Sequence, residues 1–373
     1  MKVGILGGGQ LGRMLVQEAS RLNIKVTSLD KSNDFPVPDI WPYFQTGDFT
    51  NYEDVITFGS TCDVITIEIE SVNVEALKEL QAKGIKVFPQ PEVLEIIADK
   101  GLQKQFYYKH GIPTSNFDVL SREDMEAFKK NNFKPFVQKL RKGGYDGKGV
   151  QIIKFIEDIN SIWLEPSVVE ELVAIEKEIS VIVCRDEMGC IESYPVVEME
   201  FHPVANLVEF LFSPSKISES LKDEAVTIAK KIAEKLGIVG LLAVEMFLDK
   251  SGRILVNEIA PRPHNSGHHT IEACYTSQYE QHLRAITGLP LGSTKQILPA
   301  VMINLLGEEG HSGPAKYDGI SEALKTEGVF PHIYGKKETR PMRKMGHITI
   351  LDEALDAAIE KAIRIKNLVK VIS

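Results

Sequence analysis

Two glutamates, Glu245 and Glu258, stand in apolar runs where an aliphatic residue would pack better. The runs, residues 239–248 and 253–258, flank a polar, glycine-ending turn, Asp249-Lys250-Ser251-Gly252, which is the pattern of a β-hairpin. A two-residue or a four-residue loop sets Glu245 opposite Val256, and leaves Glu258 two residues along on the same face, a diagonal of roughly 7–8 Å. Two such carboxylates repel and lose hydration, so a cation is expected between them. Mg²⁺ suits the position, because it takes one or two carboxylates together with substrate phosphates. The alternative is an edge strand that turns both acids to solvent, but their neighbours are too apolar for a solvated face.

The segment after Glu258 reads Ile259-Ala260-Pro261-Arg262-Pro263-His264-Asn265-Ser266-Gly267-His268-His269. Prolines on both sides of Arg262 stiffen the backbone and hold the cation in place. Arg, His and Asn beside a carboxylate pair suit an anionic substrate near a metal-bound phosphate. His264 and His268 also have an H-x₃-H spacing, but that is half of a zinc site and no Cys pair accompanies it. A second cluster, Gly143-Gly144-Tyr145-Asp146-Gly147-Lys148-Gly149, lies between strand-like residues 136–139 and 151–155. Its amides, with Lys139 before it, can close over a polyphosphate; the alternative is a hairpin tip with no ligand. It is not a P-loop, since Val150 stands where Ser or Thr is required. A third, Gly7, Gly9 and Gly12 after a strand with Asp30 downstream, satisfies a dinucleotide fingerprint and by itself predicts an oxidoreductase. The same glycines could only permit close packing or seat another phosphate.

These groups need elements to carry them. Strands at residues 3–6, 25–29, 63–69 and 86–88 with helices at 13–22 and 74–83 make a parallel α/β unit. Glu68 and Glu70 fall at a strand's carboxyl end, where such sheets bind ligands. Residues 92–110 read as one connecting helix, ended by Gly111-Ile112-Pro113. Strands at 168–173, 178–185 and 193–197 form an antiparallel meander, and an amphipathic helix at 223–236 stops at Gly237. Ser277 and Glu280 predict a capping box for a helix to about Thr287. Strands at 301–305, 332–334 and 347–351 precede a last helix, 353–366, burying Leu355, Ala358, Ile359, Ala362 and Ile363. Lys336, Arg340, Arg343 and Lys344 read as a solvated basic face.

The 373 residues predict two or three domains. A net charge of −9 offers no general footprint for nucleic acid or an anionic membrane. No apolar stretch approaches the roughly 18 residues that span a bilayer, and the first residues are too short and glycine-broken for a signal peptide. Cys62, Cys184, Cys190 and Cys274 are scattered without a C-x-x-C, which argues against a disulfide framework and for a reducing cytoplasm.

Taken in order, the strand with Lys139, the glycine-rich loop, a Glu-containing strand and the Glu…Asn-Glu hairpin resemble the ATP-grasp superfamily. The details are similar to its 5-(carboxyamino)imidazole ribonucleotide synthetase family of purine biosynthesis. They lie in Gly7-Gly8-Gly9-Gln10-Leu11-Gly12, in the 143–149 loop, in Asn257 through His268, and in Arg343-Lys344-Met345-Gly346-His347. The resemblance implies an α/β and α+β protein of three domains. These are a Rossmann-like pre-ATP-grasp domain at 1–98, a central ATP-grasp domain at 99–290 and a small β-rich C-terminal domain at 291–373. It also implies a homodimer and carboxylation of aminoimidazole ribonucleotide by bicarbonate with ATP and two Mg²⁺ ions, Mn²⁺ being able to substitute.

On that resemblance Lys100, Lys139, Gly143, Gly144, Gly147 and Gly149 serve the ATP phosphates. Glu170, Glu171, Leu172 and Val173 form the adenine hinge, Glu178 holds the ribose, and His202 lines the pocket. Glu245 and Glu258 hold the metal with Asn257 beside them. Tyr145, Asp146, Lys148, Lys336 and Arg343 bind the ribonucleotide, with Glu70 facing its aminoimidazole; Tyr145, Asp146 and Lys148 also belong to the loop over ATP. Arg262, His264 and Lys336 hold bicarbonate or CO₂. Lys100 stands where the family commonly has Arg, Lys148 is a tolerated alternative to Arg, and Ser71 replaces the Asn that usually follows Glu70. Three rivals remain: a formate-dependent phosphoribosylglycinamide formyltransferase, whose Pro-Arg-Pro-His continues Asp-Thr where this chain has Asn265-Ser266; an NAD-dependent oxidoreductase; and a non-catalytic nucleotide-binding module.

Overall fold

The computed structural model describes residues 1–131, 134–144, 149–202 and 207–373. Its first unit is a five-stranded parallel sheet in the order Phe44–Thr46, Lys25–Asp30, Lys2–Leu6, Val64–Ile67, Lys86–Val87. The two central strands, Lys2–Leu6 and Val64–Ile67, are mostly apolar because both their faces are covered. Val3 and Ile5 meet Leu11, Leu15 and Ala19 of the helix Gln10–Arg21 on one side, and Leu6, Ile65 and Ile67 meet Phe58, Leu77 and Leu80 on the other. That first helix starts three residues earlier than its hydrophobic pattern predicts, with Gly9 as its cap. The edge strand Phe44–Thr46 carries no apolar run and was not legible.

The single helix expected at residues 92–110 is two, Pro91–Ala98 and Lys100–Lys109. Asp99 breaks it. Its backbone is extended, its Oδ1 accepts from the amides of Gly101 (2.8 Å) and Leu102 (3.3 Å), and Arg141 grips both oxygens at 2.9 and 2.7 Å. An aspartate serves a helix better at its N-cap than in its interior.

Beyond this break lies a four-stranded antiparallel sheet ordered Phe117–Leu120, Ser167–Glu171, Phe136–Leu140, Val150–Ile153. It faces a nine-stranded antiparallel sheet whose main path runs Ile254–Ala260, Gly240–Asp249, Ile175–Arg185, Val197–Phe201, Val208–Ser213, Ala300–Leu306, Lys344–Leu351, Val329–Ile333. The strand expected at 193–197 is two, Ile191–Ser193 and Val197–Phe201, divided at Pro195, which has no N–H for a ladder. The C-terminal strands continue this sheet, Val208–Ser213 pairing directly with Ala300–Leu306.

Two helices cover the apolar face. Glu219–Leu236, stopped by left-handed Gly237 (φ 63°), lays Ala225, Ile228, Ala229 and Ile232 on Ile179, Val181, Val244 and Met246. Leu355–Leu368 buries Ala358, Ala362 and Ile365; the expected Ile363 is instead 49% exposed, because it lies one residue, about 100° of turn, off that buried face. Ser277 caps Gln278–Thr287 through the amide of Glu280 (3.1 Å). Only this half of the predicted box is present, since the Glu280 carboxylate pairs with Arg21 and Arg284.

Candidate active site

Alternation along the large sheet decides which side chains reach the site. Ile179, Val181, Val244 and Met246 enter the core, so Glu178, Ser180 and Glu245 face the other way. The hairpin differs from the expected register. Leu248 pairs with Ile254 and Met246 with Val256, so Val256 is a core residue and not the neighbour of Glu245. A β-bulge at Asn257 then inserts one residue, and Glu245 pairs directly with Glu258. Without it Glu258 would follow Ile254 and Val256 into the core. Directly opposite side chains have Cβ atoms about 4.5–5.5 Å apart, closer than the diagonal expected. Burial and the Glu258 charge push the Glu245 carboxyl up, with Glu178 adding to the effect. Lys100, against the cost of burial, holds Glu258 down. Glu178 itself is raised to about 7 by burial, with Lys139 opposing.

Lysines come from the facing elements. Lys100 opens its helix at the Asp99 break and donates to Glu258 Oε2; burial opposes its charge, but Glu258 keeps its pKa raised. Lys139, on Phe136–Leu140, donates to the bulged Asn257 (Oδ1, 2.7 Å) and pairs with Glu170 Oε1 at 3.0 Å. The bulge therefore does two things: it aligns the glutamates and turns Asn257 to the small sheet. Thr114 bridges to Val256, and the Val256 amide donates to Pro113 O at 2.8 Å, so the two sheets are tied at this point.

Glu170 lies inside the small sheet between Phe117 and Val137, its carboxylate turned to the lysines. Lys139 and Lys104 overcome the cost of burial and hold it at about 2. Glu171 is exposed and accepts from Asn116 (2.8 Å); Leu172 and Val173, half-buried, follow the strand. Gly143 and Gly149 have φ of 81° and 75°, and Gly144 lies beside them. Tyr145, Asp146, Gly147 and Lys148 fall outside the described residues. His202 is half-buried, its amide donating to Leu207 O at 2.8 Å.

On the far side of Glu245, His264 Nε2 lies 3.5 Å from Glu245 Oε1. His264 Nδ1 lies 2.9 Å from Ser266 Oγ and accepts from the Ser266 amide (3.3 Å), which leaves Nε2 facing Glu245. Arg262 Nε pairs with Glu70 Oε1 at 2.9 Å, joining the first unit's sheet to the proline-bracketed turn. Lys336 donates to Lys344 O (2.6 Å) and lies over the Tyr334 ring. Arg343 donates to Glu338 O (2.6 Å), and burial lowers its pKa. The basic run is thus no simple solvated face: Lys336, Arg343 and Lys344 are half-buried and only Arg340 is exposed.

Two sequence readings are displaced. His268 is buried, with Tyr279 Oη 2.8 Å from its Nδ1 and its ring stacked on His347 at 4.5 Å, while His264 turns to Glu245. The H-x₃-H pair therefore does not converge, and no group of three metal-ligating side chains occurs among the described residues. The dinucleotide loop is filled from within. Glu68 accepts from the amides of Gly9 and Gly12, and Asp30 from Gly8 at 2.7 Å. A Cβ on Gly7 would lie 2.1 Å from Glu68 Cγ. The helix N-terminus that a pyrophosphate would need already holds a carboxylate.

Lys104, Asp99, Arg141 and Glu68 were not singled out for these roles. Asp99 carried a usable signal, an N-cap type two residues before Gly101 inside an apparent helix; Lys104 carried none.

The chain matches the ribonucleotide synthetase preATP-grasp domain over residues 1–98, the ATP-grasp domain over 105–279 and the phosphoribosylaminoimidazole carboxylase C-terminal domain over 300–361. It is 46% identical to the N5-carboxyaminoimidazole ribonucleotide synthetase structure from Thermotoga maritima, with a TM-score of 0.92 covering 100% of this chain and 99% of that one. A synthase from Aspergillus clavatus in complex with ADP and 5-aminoimidazole ribonucleotide gives 32% identity and a TM-score of 0.89, covering 98% of each chain. The N5-carboxyaminoimidazole ribonucleotide synthase of Aquifex aeolicus is 38% identical over 99% of this chain and 97% of its own length. Relatives named phosphoribosylaminoimidazole carboxylase, from yeasts and a plant, are longer, and the chain spans about two thirds of them. By sequence and by fold, the chain belongs to the N5-carboxyaminoimidazole ribonucleotide synthetase family of ATP-grasp proteins.

Proposed function

We propose that this protein carboxylates 5-aminoimidazole ribonucleotide with bicarbonate, using ATP and releasing ADP and phosphate, in purine biosynthesis. The observation that carries the reading is the pairing of Glu245 with Glu258 across a bulge that also delivers Asn257 to Lys139. Facing carboxylates with two lysines opposite form a place for a phosphate chain and a divalent cation together. Burial and the repulsion between the two acids, which together raise Glu245, fit a bound cation. Glu245 and Glu258 would hold Mg²⁺, two ions being the expected number and Mn²⁺ an acceptable substitute, and the metal would neutralise phosphate charge.

Bicarbonate is a poor electrophile. Its oxygen attacks the γ-phosphorus, ADP leaves, and the resulting carboxyphosphate breaks down to CO₂ and phosphate. The exocyclic amine of the ribonucleotide then attacks the carbon. Phosphoryl transfer asks for positioning and charge neutralisation, the role given to Lys100, Lys139 and the glycine loop. Leu172 and Val173, with Glu170 and Glu171 before them, take adenine, Glu178 the ribose, and His202 the pocket wall. Arg262, its Nε held by Glu70, and Lys336 provide the cations for bicarbonate. His264 is the third group given to bicarbonate. Arg343 and Lys336, with Tyr145, Asp146 and Lys148, take the ribonucleotide, and Glu70 faces its base. Closure of the glycine loop would keep water from the carboxyphosphate. Domain limits of 1–98, 99–290 and 291–373, a homodimer and a cytoplasmic setting belong to the same proposal.

The formyltransferase reading loses support at Asn265 and Ser266, which are used structurally. Asn265 exchanges hydrogen bonds with Asn304 (2.9 and 3.2 Å), and Ser266 Oγ lies 2.9 Å from Ser180 Oγ. The deciding measurement is ADP release with and without aminoimidazole ribonucleotide and bicarbonate. Dependence on both is expected. Release driven by formate in place of bicarbonate, or hydride transfer seen by nicotinamide absorbance, would overturn the reading.

A further inference from the structure

Behind Lys139 lies a second lysine with no assigned role. Lys104 is four residues after Lys100 on the helix Lys100–Lys109, hence on the same face. Its side chain is 3% exposed. Its ammonium donates to Thr114 Oγ1 at 2.6 Å, Ser115 Oγ at 3.1 Å and Glu170 Oε2 at 2.9 Å. The Glu170 carboxylate is thereby divided: Oε1 faces Lys139 at 3.0 Å, and Oε2 faces Lys104 and the Ser115 hydroxyl at 2.6 Å. Lys139 also donates to Asn257. The void enclosed by these side chains with Lys100 and Glu258 is only about 10 Å³. A phosphate that draws Lys139 away exchanges with these partners.

The pull of Glu170 on Lys139 therefore bears on that exchange. A carboxylate with a second cation behind it attracts the first less strongly, and the effect is large where water is excluded. We propose that Lys104 is a positioning residue that sets nucleotide affinity, competing with Lys139 for Glu170 and so leaving Lys139 free to turn to the triphosphate. The inference rests on the reading of this cleft as the ATP site. Burial pushes the Lys104 ammonium down to about 8 despite Glu170, which agrees with a cation kept for its effect on a neighbour and not for stability.

The test is ATP affinity of the full chain by calorimetry, with steady-state kinetics beside it. Lys104→Met removes the charge and keeps the length. Its ATP Kd and KM should rise at least tenfold, with kcat changed less than threefold. Adding Glu170→Gln to Lys104→Met should lower Kd again, because the competing charge is gone. Ser115→Ala, which takes a hydroxyl donor from the same Glu170 oxygen and leaves Lys104 in place, should raise Kd in the same direction by a smaller factor, and it serves if Lys104→Met does not fold. A purely structural Lys104 gives losses that add in the Lys104→Met/Glu170→Gln variant, and that outcome, or unchanged ATP binding by Ser115→Ala, overturns the proposal. Calorimetry needs no turnover, so failure of the parent to release ADP with both cosubstrates counts against the carboxylation reading and not against this one.

Discussion

Two regions enclose carboxylates, for opposite reasons. In the first sheet, Glu68 and Asp30 are met by the amides of Gly8, Gly9 and Gly12, a full set of donors from one loop. In the hairpin, Glu245 and Glu258 are set against each other across adjacent strands, and the cations come from other elements. The first arrangement is complete in itself. The second sets two acids face to face, an arrangement that the proposed cation would complete. A glycine motif that suggests a ligand can thus be satisfied by its own chain, while an acid pair that looks like a packing error stands at the centre of the proposed site.

The sharpest way to break this contrast is Glu258→Gln. Removing one acid of the pair should cut ADP release on the order of 10²–10³-fold and leave the thermal midpoint within a few degrees; undiminished turnover would show that the pair has no such role. Gly7→Ala acts on the other region. Its φ is 118° and its new Cβ would meet Glu68 Cγ at 2.1 Å, so strain and overpacking together should cost about 2–4 kcal/mol in urea unfolding. Parent-like stability would mean that Glu68 does not fill the loop.

A smaller effect concerns pH. Burial raises Glu68 to about 7, the loop amides opposing. The folded carboxyl thus takes up a proton at higher pH than the unfolded one, near 4.3. The folded state binds more protons between these values, so stability falls as pH rises from about 4.3 to 7 and levels off above. Glu178 and Glu245 tilt the curve the same way. Glu68→Gln should therefore flatten the melting curve against pH without abolishing its slope, and an unchanged slope would remove Glu68 from the account. The smallest change is expected from Gly143→Ala. That residue has φ 81° but no atom within 4 Å of the added Cβ, so only backbone strain remains, about 1 kcal/mol.

Much of the candidate site was legible because its residues break local patterns. A glutamate in an apolar strand, an arginine between prolines and four glycines in seven residues each conflict with simple packing, and such conflicts gather where function does. The register was not legible. The expected hairpin put Val256 beside Glu245, and both a longer turn and the bulge at Asn257 intervened. Their shifts of one residue each compensate, so the two acids share a face for a reason different from the one expected. Lys104 gave no warning, because an exposed lysine and a buried one look alike on a short helix. The break at Asp99 was masked by apolar residues that continue at helical spacing through it.

The sequence alone determined most of the order of strands and helices, the alternation that separates core from cleft, and the types of residue available for phosphate and acid chemistry, since these depend on neighbours a few positions away. Tertiary structure decided which acids meet. Glu68 is occupied by its own loop, Glu258 is brought opposite Glu245, and Glu170 is shared between lysines from a helix and a strand. The physical reason is that charge pairing acts over a few ångströms of space, whatever the distance along the chain, and a single inserted residue in a strand is enough to reassign it.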